Sequence, residues 1–141
     1  MRKPIVCLLL ICMLGTFTAC SANRTVKNEV VALFQENENI FLQAANSGDY
    51  SALEHIKGVQ NVYIFEKYID IQYGGAGFGA ETKYYGIFYS AEDDLCAIDV
   101  AGPADKLVES GEGYVYLEEG GDNQYYVEPL GNHFFYYEAE F

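Results

Sequence analysis

Glu138 and Glu140 stand two residues apart near the end of the chain, with Phe134 and Tyr136 preceding them at the same parity. In an extended strand, at about 3.3 Å per residue, the two carboxylates would lie about 7 Å apart on one face. That falls within the roughly 6.5–9.5 Å separating the acid and the base of inverting glycosidases, and the two rings could stack on a sugar. The same residues also describe a solvated strand face, since no nearby feature would raise one carboxyl into the range of a general acid. His55 and His133 are the only histidines. A Cys-His nucleophile would need one of them beside Cys96 and positive charge to hold the thiolate, yet Lys106 is the sole cation between residues 84 and 141. Gly74 to Gly79 could cradle a phosphate only if a helix opened after the loop, and the following run, Lys83 to Tyr89, has the pattern of a strand. The acidic groups Glu92-Asp93-Asp94 and Glu118-Glu119 with Asp122-Asn123 offer oxygen ligands of the calcium type. They lack the glycine at the sixth place and the glutamate at the twelfth of a calcium loop, and read as solvated turns. No cofactor, metal or catalytic residue is assigned.

The elements that must position these residues change period at Gly58. From Thr25 to Asn46 the residues Val26, Val30, Leu33, Phe34, Ile40, Phe41, Ala44 and Ala45 recur at spacings of three and four, which predicts one amphipathic helix. Asn23 or Thr25 would cap its start and Ser47-Gly48 its end. Asp49 to Ile56 reads as a shorter helix closed by Gly58. Beyond that point the period is two. Strands are expected at Val62 to Ile64, at Ile69 to Tyr73, at Lys83 to Tyr89, at Tyr114 to Glu118, at Gln124 to Glu128 and at His133 to Phe141, with a further short one at residues 95 to 100. Short turn-like joints such as Glu119 to Asn123 and Pro129 to Asn132 leave no room for parallel crossovers. The predicted fold class is α+β, an N-terminal amphipathic helix packed on one antiparallel β-sheet. In the last strand, Phe135, Tyr137, Ala139 and Phe141 suit the core. Phe134, Tyr136, Glu138 and Glu140 then face outward, toward solvent or a partner.

The chain of 141 residues is 50% hydrophobic, with 13 Tyr, 9 Phe and only 3 Pro, so it can bury a core and is no disordered acidic tail. Arg2 and Lys3 precede an apolar run from Ile5 to Phe17, which ends in Thr18-Ala19-Cys20. That run is shorter than the roughly 20 residues a membrane-crossing helix needs, and its order of basic, apolar and small residues is that of a secretory signal. The reading divides the chain into a signal peptide over residues 1–19, a short tether over 20–24 and one α+β domain over 25–141. Removal of 19 residues leaves 122, and loss of Arg2 and Lys3 leaves six basic against 21 acidic side chains, a net charge of −15 where the whole chain carries −13. Such acidity repels phosphate backbones and anionic headgroups, which excludes nucleic acid as a partner through charge. Cys7 and Cys12 lie within the signal. Cys96 is left as a reduced, buried small hydrophobe with no disulfide to form.

Phe17-Thr18-Ala19-Cys20 resembles the lipobox of bacterial lipoproteins, with Phe in place of the usual Leu. The resemblance implies a diacylglycerol thioether on Cys20 and a domain held at the outer face of the cytoplasmic membrane. The set Thr82 to Ser90, Gly111 to Tyr114, Gly120 to Tyr126 and Phe134 to Glu138 resembles a family of small uncharacterised lipoproteins of clostridia and related Firmicutes, across about the last 60 residues. That resemblance implies no activity. The expected function is a non-catalytic binding module meeting a protein or glycan of the envelope through Phe134, Tyr136, Glu138 and Glu140. The alternative is a small carboxylate hydrolase of cell-wall or glycan material, with a cleft between helix and sheet lined by Glu138, Glu140 or His133.

Overall fold

The computed structural model describes residues 18–76 and 82–141, with side chains from Val26 onward. The expected signal segment up to Phe17, the Gly77-Phe78-Gly79 part of the glycine loop and the side chain of Cys20 lie outside the described residues. Helix α1 spans Thr18–Ser47. Its backbone is already helical at the expected tether and at Asn23 and Thr25, so neither is the first cap. Its end is as expected: Gly48 adopts a φ of 73° and donates its N–H to the Ala44 carbonyl at 2.9 Å, the left-handed closure glycine allows at no steric cost. Asp49 accepts the Ser51 N–H at 3.0 Å, and the expected second helix tightens to a five-residue 3-10 turn, Ser51–His55.

Seven strands follow: β1 Asn61–Ile64, β2 Ile69–Ala76, β3 Lys83–Tyr89, β4 Val108–Ser110, β5 Gly113–Leu117, β6 Gln124–Gly131 and β7 Phe134–Glu140. They form one sheet in the order β1-β2-β3-β7-β6-β5-β4, with every pair antiparallel. The fold is therefore α+β with the helix against a single antiparallel sheet. The β6–β7 joint is a two-residue turn with positive φ at both Asn132 (53°) and His133 (66°), the mirror-image geometry whose twist matches hairpin strands. β7 thus begins at Phe134 rather than His133 and lies in the middle of the sheet, between β3 and β6.

Two apolar clusters sit on opposite faces of this sheet. On one, Phe34 and Phe41 of α1 meet Phe134 at ring distances of 5.4 Å each, together with Ile71, Ile87 and Tyr136. On the other, Phe88, Phe135, Tyr137, Tyr125 and Val127 pack against Ile98. Ile98 belongs to the long connection between β3 and β4, which crosses that face and covers it. Residues 95 to 100 form no strand. Ser90 Oγ accepts the Asp94 N–H at 3.3 Å and Asp94 Oδ1 accepts the Cys96 N–H at 2.9 Å, so side chains take the backbone donors that a ladder would need. The Tyr125 hydroxyl donates to the Leu95 carbonyl at 2.8 Å and pins this layer to the sheet.

The expectation that Phe134 and Tyr136 face outward is overturned. They are 1% and 0% exposed, and so are their neighbours of opposite parity, Phe135 at 3% and Tyr137 at 1%. A strand at the centre of a sheet covered on both faces buries both parities, and the alternation that separates core from solvent at a half-exposed strand carries no such information here.

Candidate functional site

Of the residues singled out in the sequence, Glu138 and Glu140 line one small concavity of about 80 Å³ with Lys83 and Tyr126, while Phe134 and Tyr136 are buried in the core. Glu138 accepts the Tyr136 hydroxyl at 2.7 Å, and Glu140 pairs with Lys83 at 3.0 Å. His133 is exposed, with Nδ1 3.3 Å from Asp93 Oδ1. Cys96 is half-buried and forms no disulfide. Burial and then the neighbouring Asp94 carboxylate push its thiol up, away from a reactive thiolate. Among the described residues no three His, Cys, Asp or Glu side chains converge to hold a metal ion.

A different space carries a concentration of chemistry. At the β1–β2 end of the sheet the connection after β3 stops short of the edge, and a cleft of about 260 Å³ opens between them. Its position follows from strand parity. Ile69, Ile71 and Tyr73 of β2 point to the helix, which sends Tyr68, Asp70 and Gln72 to the other face. Tyr63 of β1 stands opposite Asp70 in the ladder, Tyr84 comes from β3, and Ile98 with Asp99 closes the side formed by the connection. Tyr63 and Phe65 are 45% and 43% exposed, and Phe65 stacks on Tyr68 at 4.5 Å with 24° between the rings. The Asp99 N–H donates to the Tyr68 hydroxyl at 3.4 Å, which ties the connection to the cleft wall.

Asp70 is the only carboxylate of the sheet that this cleft contains. The Tyr137 hydroxyl donates to its Oδ1 at 2.8 Å. Tyr137 reaches it from β7 across β3, where its ladder partner is Gly86. A Cβ at Gly86 would lie 2.4 Å from the Ile71 carbonyl oxygen, so the bare backbone there is a packing requirement. Among the described residues no lysine, arginine or histidine lines the cleft. Burial pushes the Asp70 carboxyl up to about 6, with the Tyr137 hydrogen bond opposing and not cancelling it. Burial, with the Asp70 charge beside it, moves the Tyr137 phenol far above its ordinary range, so that group is a fixed donor at any physiological pH.

The helix face holds a contrasting carboxylate. Glu128 is 6% exposed and is met by the Lys27 ammonium and by the Tyr126 hydroxyl at 2.6 Å. Lys27 Nζ also lies 5.2 Å from the centre of the Tyr126 ring. Burial pulls the Lys27 ammonium down, but Glu128 and Tyr126 together outweigh it and hold the group above the ordinary lysine value. Both donors converge on Oε2 of Glu128, so this carboxylate has a cation of the protein beside it.

Sequence reasoning missed the cleft, although one signal for it was present. An aspartate at the centre of an alternating strand, flanked at the same parity by Tyr68 and Gln72, is a charge placed where a covered sheet would tolerate it poorly. No protein family, curated protein or solved structure matches this chain.

Proposed function

We propose that the protein is a lipid-anchored, extracytoplasmic binding module without catalytic activity, and that its recognition site is the cleft around Asp70 in place of the β7 face expected from the sequence. The observation that carries this reading is an open cleft walled by aromatic rings around a half-buried carboxylate, with no cation lining it among the described residues. Convergence of apolar walls on a few fixed polar groups is the ordinary form of a small ligand site. Tyrosine suits such walls because it presents rigid apolar area with a polar tip. The hydrolase reading gains less: the concavity that Glu138 and Glu140 share is only about 80 Å³ and both are held, by Tyr136 and Lys83, while among the described residues the cleft around Asp70 offers Asp99 as its one other carboxylate. The anchor rests on the lipobox sequence ending in Cys20.

Two measurements test this. Cys20→Ser is expected to move the protein from the membrane fraction to the soluble extracytoplasmic fraction, and unchanged membrane partition of that variant would end the lipid-anchor part. For the binding part, a small-molecule and peptide extract of the cell envelope should shift the ring resonances of Tyr63, Phe65 and Tyr137 while leaving those of Phe34 and Phe41 in place. An extract that leaves the cleft rings unmoved at every concentration, or one that is hydrolysed by the protein, would overturn the binding module.

A further inference from the structure

We propose that the cleft around Asp70 receives an organic cation that donates hydrogen bonds, an alkylammonium or a guanidinium group, with the carboxylate as its counter-ion and the rings of Tyr63, Phe65, Tyr68 and Tyr84 as its walls. This rests on the reading of the chain as a binding module and names the class of ligand.

Charge is the first ground. The chain carries −13 overall, and among the described residues the cleft holds Asp70 and Asp99 against no basic side chain, so its field attracts cations and repels anions. The second is the unfilled valence of Asp70. An ionised carboxylate accepts about four hydrogen bonds. Within the described residues Asp70 receives one, from Tyr137, and its side chain lines the cleft. Glu128 shows how this protein satisfies a withdrawn carboxylate when nothing is to bind there: it supplies Lys27 and Tyr126. Asp70 is given a phenol and an opening. The walls are the third ground, because aromatic faces attract ammonium and guanidinium groups through the ring quadrupole, and a guanidinium also stacks flat while it forks onto a carboxylate. Size is the fourth. A volume of about 260 Å³ is below the roughly 300–1,000 Å³ of drug-sized ligand sites, so the cleft admits one end group such as a basic side chain and not a run of sugar rings.

The pH dependence follows from the groups that face Asp70. They are Tyr63 from β1, Tyr68 and Gln72 flanking it along the chain, Tyr84 from β3, Tyr137 from β7 and Asp99 from the connection. With the Asp70 carboxyl near 6, a cation binds the ionised form and is released as pH falls through that value.

The test titrates the detergent-solubilised full chain with N-methylguanidinium and n-butylammonium, reading the Tyr63 and Tyr137 ring resonances. N-methylurea, a planar neutral analogue of N-methylguanidinium, and methyl glucoside, a sugar, serve as neutral probes. Both cations are expected to saturate the cleft at pH 7.5, and N-methylurea to bind at least tenfold more weakly than N-methylguanidinium. Lowering the pH to 5 should weaken cation binding about tenfold. Asp70→Asn, which keeps the side-chain shape, should weaken it at least tenfold and flatten the pH profile. Tyr63→Ser, on an exposed ring, should weaken it severalfold with the melting temperature unchanged. A blocked tripeptide with a central arginine separates the two sources of such a cation: tighter binding than N-methylguanidinium identifies a basic peptide, and equal binding a free amine. If a neutral probe binds as well as the cations, or if Asp70→Asn folds and binds undiminished, the cation assignment is overturned while the binding module stands. If envelope extract and every probe leave the cleft rings unmoved, both fall.

Discussion

The helix face and the connection face of this sheet each bury a set of aromatic rings, and each draws a carboxylate away from water. On the helix face Glu128 is closed in by Lys27 and Tyr126, and α1 lies over the apolar cluster along its length. On the connection face the covering layer is irregular chain, held by the Tyr125–Leu95 and Asp99–Tyr68 hydrogen bonds, and it leaves the β1–β2 end uncovered with Asp70 there. A regular helix covers a sheet uniformly because its apolar stripe has a fixed repeat. An irregular connection covers only where individual side chains such as Ile98 reach down. The uncovered end is where a carboxylate can stay withdrawn and still be reached from solvent, and a protein that satisfies one withdrawn charge internally but not the other separates a structural charge from one available to a ligand.

The largest effect that would break this two-faced description comes from β7. Phe134→Ser combined with Tyr136→Ser removes two fully buried rings from the helix face. Each such truncation costs about 3–5 kcal/mol, and the sum is of the order of the roughly 5–15 kcal/mol that holds a whole domain. The double variant should lose its near-ultraviolet circular dichroism and its cooperative melt. A normal melt would mean that β7 has one solvent-facing side after all.

A smaller effect sharpens the contrast between the two carboxylates. Lys27→Met leaves Glu128 buried without its cation and should cost about 3 kcal/mol, the lower limit for a broken buried pair because Lys27 keeps some exposure. Adding Glu128→Leu should return most of it. Asp70→Asn should act in the opposite direction. A carboxyl whose pKa is near 6 when folded and near 3.8 when unfolded makes its ionisation unfavourable to the fold, so its contribution to stability is present below about 3.8 and is lost as pH rises through 6. Two pKa units correspond to a gain on the order of 2–3 kcal/mol for Asp70→Asn at pH 7.5, narrowing as pH falls below 6 and absent near 3.8. Urea unfolding of both variants across that range measures it. Loss of stability on Asp70→Asn at neutral pH would show that the charge is structural, as at Glu128.

The fold was legible where one signal dominated. The 3.6-residue period of α1 and the two-residue period of β2, β3, β5 and β6 placed those elements, and short turns dictated antiparallel pairing. β4 was not legible, since Val108-Glu109-Ser110 is exposed throughout and gives no alternation to read. The run 95–100 misled because its apolar residues face the core from a turn, where Asp94 captures the backbone donor of Cys96. The site was misplaced for a related reason. Alternation along β7 suggested an inside and an outside, but its neighbours β3 and β6 and the two covering layers come from segments remote in the chain. Alternation along β2 sends Tyr68 and Asp70 away from Ile69 and Ile71, and only the incomplete cover above them, a tertiary property, turns that parity into a cleft.

The finest distinction between the faces is between two phenols. Tyr73 lies on β2 toward the helix, buried with its hydroxyl unpaired, and burial pushes that group up to about 12. Tyr137 lies on the other face with its hydroxyl on Asp70. Removal of an oxygen that is buried without a partner relieves a desolvation cost, so Tyr73→Phe should be neutral or stabilising by up to about 1 kcal/mol, at every pH. Tyr137→Phe removes the one protein donor to a charged carboxylate. Water can reach the open cleft and replace part of that bond, which places the loss at about 1–2 kcal/mol at pH 7.5. The loss should shrink as pH falls below 6, because a protonated Asp70 needs the donor less. The same atom removed from two tyrosines of one sheet should therefore cost stability only at Tyr137, and only there should the effect depend on pH. Chemical denaturation of the two single variants at pH 7.5 and pH 5 reads both signs, and a Tyr137→Phe variant as stable as the parent at both would mean that Asp70 does not lean on the sheet at all.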